Sequence, residues 1–266
     1  MRVEFQVVDG TIARIHLNRP DARNSVGPED ARLIRDYLKR ANADDSIRVV
    51  VFSSEGDDFC FGADMQEYGR ILAEVRAGKR PISEVVAVLN VTLEANRLLR
   101  NPKMISIAAA KGWTVGYGVE LCIASDFIVA SEDTRFYFAE TAAGVSMTSG
   151  CAKLLPQLVG LANARRLMLF GEKLPAADAQ RMGLVASVVP KGHELDAALE
   201  MAKRLAAGAP LALATQKRLI DAGAGMDLAA LQDLEVQAST WIMLTEDANE
   251  ASLAFSEKRR PRFRGA

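Results

Sequence analysis

The stretch from Met104 to Asp126, MISIAAAKGWTVGYGVELCIASD, constrains the fold of this chain more than any other. Met104 to Ala110 is a continuous apolar run of buried-strand type, and VELCIASD begins a helix with almost no polar face. A strand that leads through a tight turn into a helix apolar on all sides belongs deep inside a large α/β core. Gly116 and Gly118 in the turn let the backbone bend sharply and come close to a group at the helix start, where free N–H groups point outward. Directly after them stands Glu120, among Val119, Leu121, Cys122 and Ile123. A carboxylate in such company costs free energy to bury unless it is hydrogen-bonded or used. The plain alternative, an acid that merely complements the helix dipole, is open at this point.

The rest of the chain repeats the pattern. VEFQVVDG and TIARIHLN flank Asp9-Gly10 as a hairpin, with His16 in a structural place on the second strand. A loop and a helix beginning at Pro28 follow. Ile47 to Ser54 is a second buried strand, and EGDDFCFGADMQEYG after it forms another strand–loop–helix unit with Gly62 at the turn. Residues 70–100 read as helical, broken near Gly78 and Pro81. DFIVASEDTRFYFAET gives two short strands, and the loop GVSMTSG comes next. Three helices then end in Gly160, Gly171 and Gly183, followed by a last strand in LVASVVP. From Glu194 the chain is helical. The expected organisation is an α/β core over residues 1–193 and a helical C-terminal region over 194–266.

Composition narrows the function. The 266 residues are 49% hydrophobic and 25% charged, with 33 basic and 34 acidic side chains for a net charge of −1. That balance points away from nucleic-acid and membrane surfaces. The N-terminal residues lack the apolar core of a signal peptide, and no apolar run approaches membrane-spanning length. Cys60, Cys122 and Cys151 are scattered, with no CxxC pair, and read as packed, reduced thiols of a cytoplasmic protein. With only two histidines and no His/Cys cluster, no metal site is expected.

Motifs remove several mechanisms. GYGVEL opens like a dinucleotide fingerprint, but Leu121 stands in the place of the third glycine and an acid follows. There is no P-loop, no GxSxG elbow and no HExxH, and both histidines lie outside the glycine loops. What remains is two glycine turns, at Gly62-Ala63 and Gly116–Gly118, and two carboxylates in apolar surroundings, Glu120 and Glu140. Two such turns can each aim one backbone N–H at a single oxygen. Paired carboxylates away from water can trade protons.

At these residues the chain resembles the enoyl-CoA hydratase/isomerase, or crotonase, family. The matching pieces are LNRPDARNS, FCFGADM, KMISIAAAKG with GYGVELCIASDF, RFYFAE, LLPQLVG, GEKLPAADAQRMGLVASVVP and SEKRRPRF, in the family's order over nearly the whole chain. The resemblance implies a crotonase-like spiral of ββα units with a C-terminal helical trimerisation region, and assembly as a homotrimer or dimer of trimers. It implies an acyl-CoA thioester substrate and no cofactor beyond the coenzyme A that the substrate carries. The thioester oxygen would meet the N–H groups of Ala63 and Tyr117, with Glu120 and Glu140 handling water and the α-carbon proton in a hydro-lyase reaction. Gly62, Asp64, Gly116, Gly118 and Thr148 would line the substrate. Arg23 and, from a neighbouring subunit, Lys258 or Arg259 would face the coenzyme A phosphates, although surface arginines are equally often mere ion-pair partners.

Departures from the family pattern bear on the substrate. Tyr117 stands where the family's hydratases carry glycine, Ala139 replaces a proline, and Thr148 takes the place of a glycine that helps hold the water. Phe136, Tyr137 and Phe138 add aromatic bulk. These changes point to a branched, cyclic or aromatic acyl group. Isomerase, hydrolase or C–C lyase chemistry on the same fold, or a catalytically silent relative, are the alternatives.

Overall fold

The computed structural model describes residues 1–266. Strands β1 (Val3–Val8) and β2 (Ile12–Leu17) form an antiparallel hairpin, with Asp9 at φ +50° and Gly10 at φ +71° making the turn. Helix α1 (Pro28–Ala43) leads to β3 (Val49–Ser54), which pairs parallel to β2. Helices α2 (Met65–Arg76) and α3 (Ile82–Leu99) then cross over to β4 (Ile105–Ala110), parallel to β3. The helical stretch divides at Gly78, whose φ is +69°, and at Pro81, which precedes α3.

Next come β5 (Trp113–Val115), α4 (Tyr117–Ala124), β6 (Phe127–Ser131) and β7 (Arg135–Tyr137). A loop carries the chain to α5 (Cys151–Val159), α6 (Leu161–Phe170), β8 (Lys173–Pro175), α7 (Ala176–Arg181) and β9 (Ser187–Val189). Four helices close the chain: α8 (Glu194–Ala206), α9 (Pro210–Gly223), α10 (Leu228–Ile242) and α11 (Glu246–Ser256).

The main sheet has the order β1-β2-β3-β4-β6-β9, parallel apart from the first hairpin, and a second sheet runs β5-β7-β8. This is the α/β spiral of repeated units expected from the sequence. Every residue of β3 and β4 is buried, because helices cover both faces of the parallel sheet. On one face α8 lays Ala198, Ala202 and Ala206 against Ile12, Val49, Val51, Ile105, Ile107, Ala109 and Val129. Alanines at that spacing share one helix face and let the backbone approach the strands closely. Helix α8 thus packs on the sheet, although in sequence it heads the helical region. The other face carries the larger core, with Phe52, Phe59, Phe136, Phe138 and all of α4.

Two short strands, β5 and β8, lie where the sequence shows only turn residues and a helix boundary. A three-residue strand has too few positions to display a period, and its identity comes from its partners: β5 pairs with β7, and β7 with β8. Helix α4 also begins two residues earlier than the pattern predicts, at Tyr117. No helix is long and apolar enough to cross a membrane. Leu228, Val236, Trp241, Met243 and Leu244 leave an exposed apolar surface on and just after α10.

Candidate active site

The two glycine turns run side by side. Cys60 bridges Thr114 in parallel, Val115 N–H donates to the Cys60 carbonyl at 2.8 Å, and Cys60 N–H donates to the Trp113 carbonyl at 3.3 Å. Two residues on, Gly62 lies against Gly116, and Ala63 and Tyr117 are the next residues of the two turns. Gly62 has φ +88° and Gly116 φ +52°, a region that side chains rarely enter. The contact is also too close for a side chain. A Cβ on Gly62 would lie 3.1 Å from the Val115 carbonyl oxygen and 3.7 Å from Gly116 Cα. Gly118 lies so near the Cys60 carbonyl that a Cβ there would be 2.7 Å from its oxygen.

This juxtaposition leaves two backbone donors together. Tyr117 is the first residue of α4, so its N–H has no acceptor within the helix. Around Ala63, Val26 N–H donates to Gly62 O at 2.8 Å and Asp64 N–H to Val26 O at 2.9 Å, while the Ala63 N–H between them takes no partner. Paired N–H groups of this kind suit an oxygen that gains negative charge during a reaction.

Both carboxylates come to the same place. Glu140 follows β7, and its Oε1 lies where a Cβ on Gly116 would be only 3.2 Å away. Its Oε2 is buried without a hydrogen-bond partner. Burial, and then the charge of Glu120, push the Glu140 carboxyl up to about 7. A group poised there can give or take a proton near neutral pH. Glu120 is as well buried, with 4% exposure against 9% for Glu140, yet both of its oxygens are hydrogen-bonded. Its Oε1 accepts from Thr148 N–H at 2.7 Å and from Thr148 Oγ1 at 3.1 Å. Its Oε2 accepts from Thr148 Oγ1 at 2.9 Å and from Ser149 Oγ at 2.6 Å.

Other nucleophiles nearby are silenced. Burial pushes the Cys60 thiol up to about 12 and raises Cys122 and Cys151 as well, so all three stay protonated. The Tyr117 phenol is also buried, its oxygen without a partner, and burial raises it well above its ordinary value, with Glu120 adding to the effect. It stays neutral. His16 is built into a side-chain network away from the glycine turns, with Nδ1 at 2.9 Å from Arg14 Nη2 and 3.0 Å from Ser53 Oγ. Burial, then Arg14, lower its proton affinity. That is the structural histidine expected on β2.

The outer residues divide differently from the sequence expectation. Asp64, expected to line the substrate, has both carboxylate oxygens bonded within the fold. Its Oδ1 caps α2 by accepting from Gln66 N–H and Glu67 N–H at 3.0 Å each, and its Oδ2 accepts from Arg19 at 2.7 Å. It holds the Ala63 turn from behind. The Thr148 hydroxyl likewise points at Glu120 and is engaged there. Arg23 is placed at the mouth of the turn, its backbone carbonyl accepting from Phe61 N–H at 3.0 Å. Its guanidinium lies 3.7 Å from the Phe61 ring centre, and Nε donates to Asp58 Oδ2 at 2.6 Å. Lys258 is exposed in the C-terminal tail, and no hydrogen bond or ion pair joins it to the turns. Its neighbour Arg259 is already neutralised by Glu250, at 2.6 Å and 2.8 Å, and by Glu257 at 2.5 Å.

Ser149 is the residue that sequence reasoning missed. It sits in the polar loop GVSMTSG, which has no periodicity to mark one hydroxyl over another. Only the fold shows which of them reach an acid on α4.

Known proteins resemble the chain along nearly its whole length. The family model for enoyl-CoA hydratase/isomerase matches residues 8–266. The chain is 32% identical to (E)-benzylidenesuccinyl-CoA hydratase of Thauera aromatica, over 97% of this chain and 98% of that protein. It is 34% identical to 2,3-dehydroadipyl-CoA hydratase of Escherichia coli strain K12, over 94% and 93%. The crystal structure of an enoyl-CoA hydratase from Bacillus anthracis superimposes with a TM-score of 0.90 at 29% identity, covering 100% of both chains.

Proposed function

Because this chain belongs to the enoyl-CoA hydratase/isomerase family, we propose that it adds water to, or removes it from, the α,β-double bond of an acyl-CoA thioester at the Ala63/Tyr117 turns. The thioester carbonyl oxygen accepts from the N–H groups of Ala63 and Tyr117. Glu120 accepts a proton from the attacking water, whose oxygen bonds to the β-carbon. Glu140 delivers a proton to the α-carbon, and the double-bond electrons reach it through the enolate held by the two N–H groups. The proton that Glu120 gains returns to Glu140 before the next turnover, so the net change is one water added and coenzyme A enters only as part of the substrate. The observation that carries this reading is the meeting of two unpaired backbone N–H groups with two buried carboxylates, one of them pushed up to about 7.

The acyl group is proposed to be branched, cyclic or aromatic. Tyr117 buries a whole ring beside the turn, with Phe136 and Phe138 buried behind it. The relative named for benzylidenesuccinyl-CoA supports an aromatic acyl group. Homotrimers or dimers of trimers are proposed to cover the apolar surface at α10. In such an assembly Lys258 is free to reach a neighbour's coenzyme A phosphates, and Arg23 to reach those of its own subunit.

A panel of enoyl-CoA thioesters, with products identified by mass, tests the reading. Gain of one water on bulky acyl groups, with poor turnover of crotonyl-CoA, is the expected result. Efficient crotonyl-CoA hydration with no activity on bulkier thioesters would overturn the substrate class, and products lacking the added water would overturn the reaction.

A further inference from the structure

Ser149 occupies the left-handed backbone region at φ +60°, immediately before Gly150 at φ +80°. For a residue with a side chain this conformation is disfavoured, because Cβ crowds the following carbonyl oxygen. Such backbone persists where the surroundings over-determine it, and it clusters at working sites. Here the surroundings are explicit. Cys151 N–H donates to the Thr148 carbonyl at 3.1 Å, and Lys153 and Leu154 N–H groups donate to the Gly150 carbonyl at 2.9 Å and 3.0 Å. The Thr148-Ser149-Gly150 segment is therefore continuous with the first turn of α5, whose Cys151 and Leu155 are buried in the core.

This rigid segment converges on one acid. An ionised carboxylate offers about four acceptor positions. Thr148 N–H, Thr148 O–H and Ser149 O–H supply three hydrogens, the Thr148 hydroxyl lying between the two oxygens at 3.1 Å and 2.9 Å. From the geometry we infer that Thr148 and Ser149 are positioning residues which lock the Glu120 carboxylate in one rotation and leave it a single open acceptor position, enough for one water. The inference rests on the hydratase reading of Glu120 and adds to it a side-chain clamp, one half of which is a residue that reading does not use.

No cation holds the carboxylate. The titratable groups that bear on it are Glu140, Tyr117 and Cys151, none of which carries a positive charge. Lys153 on α5 is exposed, and the buried residues of α3 are Thr92, Ala95, Asn96 and Leu99. Neutral donors fix a carboxylate in place without cancelling its charge, which a proton acceptor needs. Glu140, by contrast, keeps an unpartnered Oε2. The clamp therefore distinguishes the two acids: one is fixed in orientation and the other is not.

Steady-state kinetics on Thr148→Val and Ser149→Gly test the clamp. Removing either hydroxyl is expected to lower kcat about 10- to 100-fold with little change in KM, the scale of one hydrogen bond to a charged group. Thr148→Ser restores the hydroxyl and should recover most of the loss. Ser149→Gly removes the strained φ, so its melting temperature should hold or rise while kcat falls, an opposition that a merely structural serine would not produce. Unchanged kcat in both variants, or losses that follow melting temperature and are not rescued by Thr148→Ser, would overturn the clamp. A parallel Glu120→Gln variant separates the two levels. If it keeps parental turnover, the hydratase reading fails and takes the clamp with it. If it is inactive while Thr148→Val and Ser149→Gly are unaffected, the clamp alone fails.

Discussion

Helix α4 has an acid near each end, buried Glu120 in its first turn and partly buried Asp126 just past its last, and the two ends are built on opposite terms. Past its C-terminus, Asp126 Oδ2 accepts from Ser106 N–H at 2.7 Å, Ser106 Oγ at 2.9 Å and Lys217 Nζ at 2.8 Å. Lys217 completes its set with the Leu99 carbonyl at 2.9 Å and the Met104 carbonyl at 2.8 Å, tying α9 to the core. Opposite charges meet there, and each is met by donors or acceptors. At the N-terminal end two acids are brought together beside a pair of positive-φ glycines, and Glu140 Oε2 and the Tyr117 hydroxyl are left without partners. One end resembles a well-finished joint. The other concentrates unsatisfied groups where a ligand could satisfy them, which is the distribution expected of a working site.

The sharpest way to break the contrast is to neutralise the N-terminal acids. Glu120→Gln and Glu140→Gln should each lower turnover by about 10²–10⁴-fold, the range of general acid–base catalysis, with the fold retained. Rates near the parent's in either variant would remove that acid from the mechanism. The next largest effect belongs to the other end. Lys217→Met strands Asp126 without its cation and should cost about 3–5 kcal/mol of stability in denaturant unfolding. The specific activity of the folded fraction should be unchanged, because Lys217 bears on packing alone. Equal losses in activity and stability would dissolve the distinction.

The smallest effect concerns Glu140 and has a definite sign. The folded state raises this carboxyl from 4.5 to about 7, first by burial and then through Glu120. The folded chain thus holds a proton that the unfolded chain releases, so stability falls as pH climbs through that window, and the loss is complete above it. Glu140→Gln should accordingly gain about 1–2 kcal/mol at pH 8 and close to nothing at pH 4, after allowance for solvent screening. A variant that loses stability at pH 8 would show that the acid is held in place for structural reasons.

Much of this was legible in the residues. The glycines at 62 and 116, the apolar helix and the misplaced acids carry local signatures, because each breaks a rule of its own segment. Partnership was less legible. Asp64 precedes Glu67 by three residues, the spacing of a helix cap, and that signal was outweighed by its place next to Ala63. Lys217 reads as an ordinary solvated helix residue until α9 is docked. The Thr148-Ser149 hydroxyls have no pattern at all, since a loop side chain gains its meaning from what lies across space. Short strands such as β5 fail for the same reason.

The approach of Gly116 to Glu140 limits how such a site can be remodelled. Any side chain at position 116 would crowd the acid's Oε1, 3.2 Å from the Cβ alone, and would also strain the positive-φ turn that delivers the Tyr117 N–H. Acid and donor therefore share one backbone position and cannot be tuned one at a time through it. Changes of substrate have to enter through side chains hung on the intact trace, such as the ring at 117, because 148 and 149 are committed to Glu120. For an engineer, the backbone here is a fixed chassis and the side chain at 117 is an adjustable part.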